Sequence, residues 1–174
     1  MDDEEEYSLV TVRRRYGGVV FRERLKGRSI KVKSQFFVRT NDFLISKRQI
    51  VHDACGLVPQ DLDGSIVSNE YSILGPTNDC DVEFFSYFAQ QPVVSMSFLQ
   101  SSVGIVIEKM LFKLNIWLNL EFRFPSIEEQ RQITGCLKSA DQQIAAESNQ
   151  LAALKNHKQG LMQQLFPVLE TTST

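Results

Sequence analysis

A seven-residue apolar repeat near the C-terminus constrains this chain more than any other feature. Ile133, Ala140, Glu147, Leu154 and Leu161 form one series, and Leu137, Ile144, Leu151, Lys158 and Leu165 form the other. Eight of these ten positions are apolar, at alternating spacings of four and three. That is the coiled-coil pattern, sustained over about four heptads. Upstream, Pro125-Ser126 precedes IEEQRQI, with Ser126 and Glu129 at capping-box spacing. Downstream, Pro167 stops the pattern after Phe166. The spacing predicts one helix over about 39 residues, roughly 58 Å long at about 1.5 Å per residue. A helix of that length needs a partner along much of it.

Two positions in the stripe, Glu147 and Lys158, are charged and of opposite sign. A parallel homodimer would set Glu147 against Glu147 and Lys158 against Lys158, and like charges in a seam repel. An antiparallel pair has a better register. With Glu147 facing Lys158 of a second copy, Leu151 faces Leu154, Ile144 faces Leu161 and Ala140 faces Leu165. Sliding by one heptad adds the layer Ile133–Leu165 but strands both charges on apolar partners. An unpaired buried charge costs several kcal/mol, more than one apolar layer returns at about 1.5–3 kcal/mol per side chain. The expected interface is therefore Ala140, Ile144, Glu147, Leu151, Leu154, Lys158, Leu161 and Leu165, with the two-fold axis between Ala152 and Ala153. The alternative is a stripe packed on the chain's own body, with both charged heads reaching out to water.

Residues 7–75 read as β structure. In YSLVTVRRRY, Val10 and Val12 alternate with Thr11 and Arg13, the period of a half-buried strand. Gly17-Gly18 marks a turn before VVFRER. SIKVKSQFFVR alternates again, DFLISK is a short apolar strand with a basic tip, and GLVP and GSIVSNEYSIL complete the set. DVEFFSYFAQQ reads as a helix that Pro92 interrupts, and VVSMSFLQSSV as a second short helix or its continuation, with Gly104 breaking the pattern. EKMLFKLNIWLNL is ambiguous between helix and strand, and LEFRFP reads as a short strand ending before Pro125. The expected fold class is α+β, a β-rich body with short helices over residues 1–124. One long coiled-coil helix follows over 125–167, and then a disordered tail over 168–174.

Net charge over the 174 residues is −2. The distribution is more telling. Residues 10–50 hold twelve basic residues against only Glu23 and Asp42, a local excess of ten. Acidic residues elsewhere cancel that excess in the total but not in space, because screening acts within about 10 Å. No run of eighteen apolar residues appears, and MDDEEEYS has no apolar signal segment. Three cysteines without CxxC spacing (Cys55, Cys80, Cys136) read as free thiols of a reducing cytoplasm. There is no Gly-rich phosphate loop, metal-ligand cluster or Asn/Asp-Pro-Pro-aromatic methylase motif. His52 and His157 lack catalytic partners in the sequence. No catalysis, metal or cofactor is expected.

PSIEEQRQI, followed by Asp141, Ile144, Leu154, Lys155, Lys158 and GLMQQLFP, resembles the helical region of the specificity subunits of Type I restriction–modification systems. In that family the region typically runs P-x-x-x-E-Q-x-x-I, then D-x-x-I, then L-K-x-x-K-x-G-L-x-Q-x-L-F-P. VTVRRRYGGVVFRE and NDFLISKRQIVHDACGLVPQDLDGSIVSNEYSIL resemble one group of its target recognition domains, although NDFL departs from the commoner Gly-Asp. Family members usually carry two recognition domains and two helical regions. This chain has one of each and resembles a half-subunit that must dimerise. The resemblance implies a DNA-recognition component that positions a methyltransferase subunit and, through it, a restriction and translocase subunit on a bipartite site.

Arg and Lys are suited to phosphates, and Arg also reads guanine through two hydrogen bonds. The expected double-stranded DNA contacts are Arg13 and Arg15 on the strand face of Thr11, together with Arg22 and Arg24. Lys31 and Lys33 lie opposite Ile30 and Val32. Lys47 and Arg48 stand at a strand end, and Ser68 and Asn69 are suited to base edges. A rival reading is an interaction or inhibitory protein that binds a methyltransferase or full-length specificity subunit through the helix without reading DNA.

Overall fold

Strand β1 (Glu6–Val12) pairs antiparallel with β2 (Val19–Lys26), from Val12 opposite Val19 to Glu6 opposite Lys26. A bulge falls between Leu9 and Val10. The expected alternation holds at Val10 and Val12, both buried, whereas Tyr7 is buried at the opposite parity in a separate small cluster with Ile30 and Ile66. The computed structural model describes residues 2–166. Pro167, the expected helix stop, and the expected tail over 168–174 lie outside the described residues.

Four strands form the first sheet in the order β2-β1-β6-β3, where β3 is Gln35–Phe37 and β6 is Ile66–Ser68. The second sheet places β4 (Phe43–Ser46) between β5 (Cys55–Leu57) and β7 (Tyr71–Leu74). All of β4 is buried because both of its faces meet a core. Phe43 and Ile45 enter an aromatic cluster with Phe85, Phe98, Phe112 and Trp117. Leu44 enters an aliphatic one with Val10, Val38, Val58 and Val67. A strand covered on both sides reads as a continuous apolar run, as DFLIS does.

The short helices are α1 (Val82–Phe88) and α2 (Pro92–Gln100). Asp81 caps α1 by accepting the Phe84 N–H at 3.0 Å. Pro92 does not interrupt a helix but opens α2 at its first position, where its missing N–H costs nothing. The ambiguous stretch after Gly104 resolves into small pieces. A two-residue pairing joins β8 (Ser102–Val103) to β9 (Leu111–Phe112), and α3 (Leu114–Trp117) follows.

One expected strand does not form, and that over SIKVKSQFFVR forms only at Gln35–Phe37. Residues 121–126 have no regular structure. Phe122 and Phe124 gain their burial through aromatic contacts instead, with Phe124 at 5.0 Å and Phe122 at 5.8 Å from Phe88. Residues 30–34 likewise pair with nothing. Ile30 is buried but Val32 is 49 % exposed, so the alternation there is not that of a strand.

The long helix α4 runs over Ile127–Leu165, 39 residues. The Ser126 hydroxyl accepts the Glu129 N–H at 3.3 Å, the expected cap. The chain divides into two compact units, Met1–Gln132 and Ile133–Thr174. No helix among the described residues is long and apolar enough to cross a membrane.

Candidate nucleic-acid interface

Strand β1 stops at Val12, so Arg13 and Arg15 do not share a strand face with Thr11. They belong to a hairpin loop closed by the Arg13 N–H donating to Gly18 O at 2.9 Å. Its tight corner lies on Arg15 and Tyr16, both left-handed with φ of 56° and 53°. The Gly17 N–H closes this corner on Arg14 O at 3.2 Å. Two positive φ values in a hairpin corner usually call for Asn-Gly. Here tertiary bonds hold non-glycine residues there. The Arg15 N–H donates to His52 O at 2.8 Å and the Tyr16 N–H to Asp53 O at 2.9 Å. The Tyr16 hydroxyl also donates to Asp53 Oδ1 at 2.9 Å, and burial pushes its own pKa up to about 12.

The same anchoring gathers further loops. Arg14 Nε donates to Gln49 Oε1 at 2.7 Å. The Lys47 N–H donates to Glu70 O at 2.9 Å, and Lys47 Nζ donates to Asn69 O at 2.7 Å. Arg48 pairs with the Glu70 carboxylate. One end of the body therefore brings together loops 13–18, 47–53 and 68–70, and with them Arg13, Arg15, Lys47, Arg48, Ser68 and Asn69.

The remaining candidates lie elsewhere. Arg22 and Arg24 are exposed on β2, and Lys31 and Lys33 follow the turn after it. Arg22, Lys31 and Ser68 line a groove of about 360 Å³, together with Gln35 and Tyr71. The Tyr71 hydroxyl bonds Thr11 Oγ1 at 3.2 Å. Sequence reasoning passed over Tyr71 and Gln35, whose types carry no charge signal. It passed over Arg14 because strict alternation pointed that side chain inward.

The acidic N-terminal run does not stay away from the basic stretch. Glu4 pairs with Lys26 at 3.4 Å and Arg28 at 3.1 Å, and Asp3 pairs with Lys33 at 3.1 Å. The run lies close against the turn, where a Cβ on Gly27 would fall 1.9 Å from the Asp2 carbonyl oxygen. Sequence distance thus overstated the free positive charge. Among the described residues of this stretch Arg13, Arg15, Arg24, Lys31, Arg39 and Lys47 make no ion pair, and they carry the unneutralised excess.

On α4, Ile144, Leu151, Leu154, Leu161 and Leu165 are exposed, and so are Ala140, Glu147 and Lys158. The stripe is bare, as an interface waiting for a partner helix would be. Among the described residues no group of three His, Cys, Asp or Glu side chains is placed to hold a metal ion.

Neither the family models nor the curated proteins compared with this sequence match it. The fold does match solved structures from Type I restriction–modification systems. The HsdS subunit from Thermoanaerobacter tengcongensis matches 98 % of this chain and 46 % of its own, with a TM-score of 0.71 at 17 % identity. A second structure describes complex assembly and conformational transition of the type I R-M system. It matches 99 % of this chain and 45 % of its own, with a TM-score of 0.68 at 18 % identity. This chain spans somewhat under half the length of the structures it matches.

Proposed function

We propose that this chain is a DNA sequence-recognition subunit of a Type I restriction–modification complex. One observation carries the reading. A chain with the HsdS fold over nearly its whole length brings together three polar loops of its body, two of them rich in arginine and lysine. Loops held on a rigid scaffold are the usual carriers of recognition. Arg13, Arg15 and Lys47 are suited to phosphates and guanine edges, and Asn69 and Ser68 to base edges.

The bare α4 stripe supports an antiparallel homodimer through Ala140, Ile144, Glu147, Leu151, Leu154, Lys158, Leu161 and Leu165. Two-fold symmetry then calls for a bipartite, palindromic duplex. The complex would include a methyltransferase subunit and a restriction and translocase subunit, in the cytoplasm, with the chemistry supplied by those partners.

The test is selection of duplexes from a randomised pool, with and without a methyltransferase subunit, followed by gel shifts at several salt concentrations. A salt-sensitive preference for a two-part site is the expected result. The rival, a helix-mediated interaction protein that reads no DNA, draws on the acidic run that neutralises Lys26, Arg28 and Lys33. Partner binding without any duplex preference would select it.

A further inference from the structure

The β8–β9 hairpin ends in an apolar tip. Val103, Ile105, Val106 and Ile107 are 55, 103, 52 and 54 % exposed. Single exposed aliphatics need no explanation, but four within five residues form a patch that does. Its base is firmly held. Ser102 and Phe112 are buried and paired, the Phe112 N–H donates to Lys47 O at 2.8 Å, and the Ser102 hydroxyl donates to Phe98 O at 2.8 Å. The strands cross so closely at Gly104 that a Cβ there would fall 2.8 Å from Met110 Cα. The base of the tip is thus fixed to the body.

Its surroundings indicate what it enters. Glu108, just past the tip, lies 3.3 Å from His52 Nε2 and 3.8 Å from the Arg14 guanidinium. The bond to Lys47 fixes the other side. The hairpin is therefore tied to loops 13–18 and 47–53, the loops that also carry Arg13, Arg15 and Lys47, none of which makes an ion pair. The carboxylates of Glu108 and Glu70 are engaged with arginines, and that of Asp53 accepts from the Tyr16 and Ser95 hydroxyls. An apolar point tied to cation-bearing loops complements a polyanion with an apolar interior, which is duplex DNA: phosphates outside, stacked bases within.

We propose that Ile105 and Val106 form a wedge that enters the base stack of duplex DNA and kinks it while the surrounding cations hold the phosphates. This rests on the recognition reading above. Part of the sequence preference would then come from how easily a base step opens, which favours pyrimidine–purine steps at the wedge.

The experiment uses the full chain and the duplexes it enriches from a randomised pool. Bending is read by circular-permutation mobility, and affinity by gel shift across salt. The Ile105→Ser/Val106→Ser variant should bind on the order of tenfold more weakly and lose the bend. Its salt slope and thermal midpoint should stay unchanged, because its phosphate contacts and core are intact. Ile105→Leu should keep the bend. A straight duplex with the unaltered chain would overturn the wedge alone, as would a serine variant that bends and binds normally. A variant whose only defect is lost association with a methyltransferase subunit would assign the tip to a protein surface and overturn it too. If no duplex is enriched at all, the recognition reading fails and takes the wedge with it.

Discussion

The side-chain carbonyl of Gln130 accepts the main-chain N–H of Asp81 at 2.9 Å, tying the first turn of α4 to the cap of α1. Its amide donates to Asp79 O at 2.8 Å and Pro125 O at 3.0 Å. Gln130 is completely buried, so it has no water to fall back on. One neutral side chain with both donors and an acceptor satisfies three main-chain groups of two segments distant in sequence. This gives the glutamine of the IEEQ segment a physical task.

Gln130→Leu keeps the approximate volume and removes all three bonds. It should lower unfolding stability by about 2–4 kcal/mol, since each buried group left unpaired costs about 1–3 kcal/mol and water recovers part of that. Gln130→Glu should do no better, because a carboxylate cannot donate to the two carbonyls. Denaturant unfolding of both variants measures the loss, and unchanged midpoints would refute the role.

Charge exchange tests the helix register. Lys158→Glu creates two Glu–Glu contacts in an antiparallel dimer. At about 1 kcal/mol per partly exposed pair, it should weaken association by roughly thirtyfold. Adding Glu147→Lys should restore it. Sedimentation of the single and double variants decides, and a double variant that stays monomeric rules the register out.

Lys31 and Lys33 should differ in their effect on DNA binding. Lys31 is unpaired, so Lys31→Ala should weaken all sequences alike and lower the salt slope by about 0.9 if it meets one phosphate. Lys33 is already paired with Asp3. Lys33→Ala should change the slope less in the natural background than after Asp3→Asn. Equal effects in both backgrounds would show that the acidic run does not compete with phosphate.

Alkaline pH should destabilise the body. Burial raises the Cys55 thiol to about 12, with the Asp53 charge adding to the shift. A raised folded-state value means the contribution is complete below the ordinary thiol range near 9. It is lost as pH climbs from there toward 12, at up to about 1.4 kcal/mol per pH unit. Cys55→Ala should flatten that part of the stability–pH curve. Cys136, exposed on α4, should alkylate readily in the folded protein while Cys55 resists. Early labelling of Cys55 would contradict its burial.

What could be read along the chain was whatever repeats locally. The heptad spacing of Ile133 to Leu165, the cap at Ser126, the alternation of Val10 and Val12 and the apolar run of DFLIS all follow from residues a few places apart. Their periods match the geometry of helix or strand. They were enough for the fold class. The candidate site was only half legible, because charge shows in composition but neutralisation does not. Nothing in the string places Asp3 beside Lys33 or Glu4 beside Arg28.

Tertiary structure decided the rest by outweighing local preferences of about 1 kcal/mol with distant bonds. LEFRFP has the residues of a strand but no neighbouring strand, and ring contacts take its phenylalanines instead. Arg15 and Tyr16 adopt a backbone that glycine would prefer, because the carbonyls of His52 and Asp53 hold them there. The loop corner, the acidic run and the bare hairpin tip exist only once segments far apart in the chain have met. By itself the sequence determined a β-rich body and a long helix with an unsatisfied stripe. Only the folded structure decided which of its cations remain free.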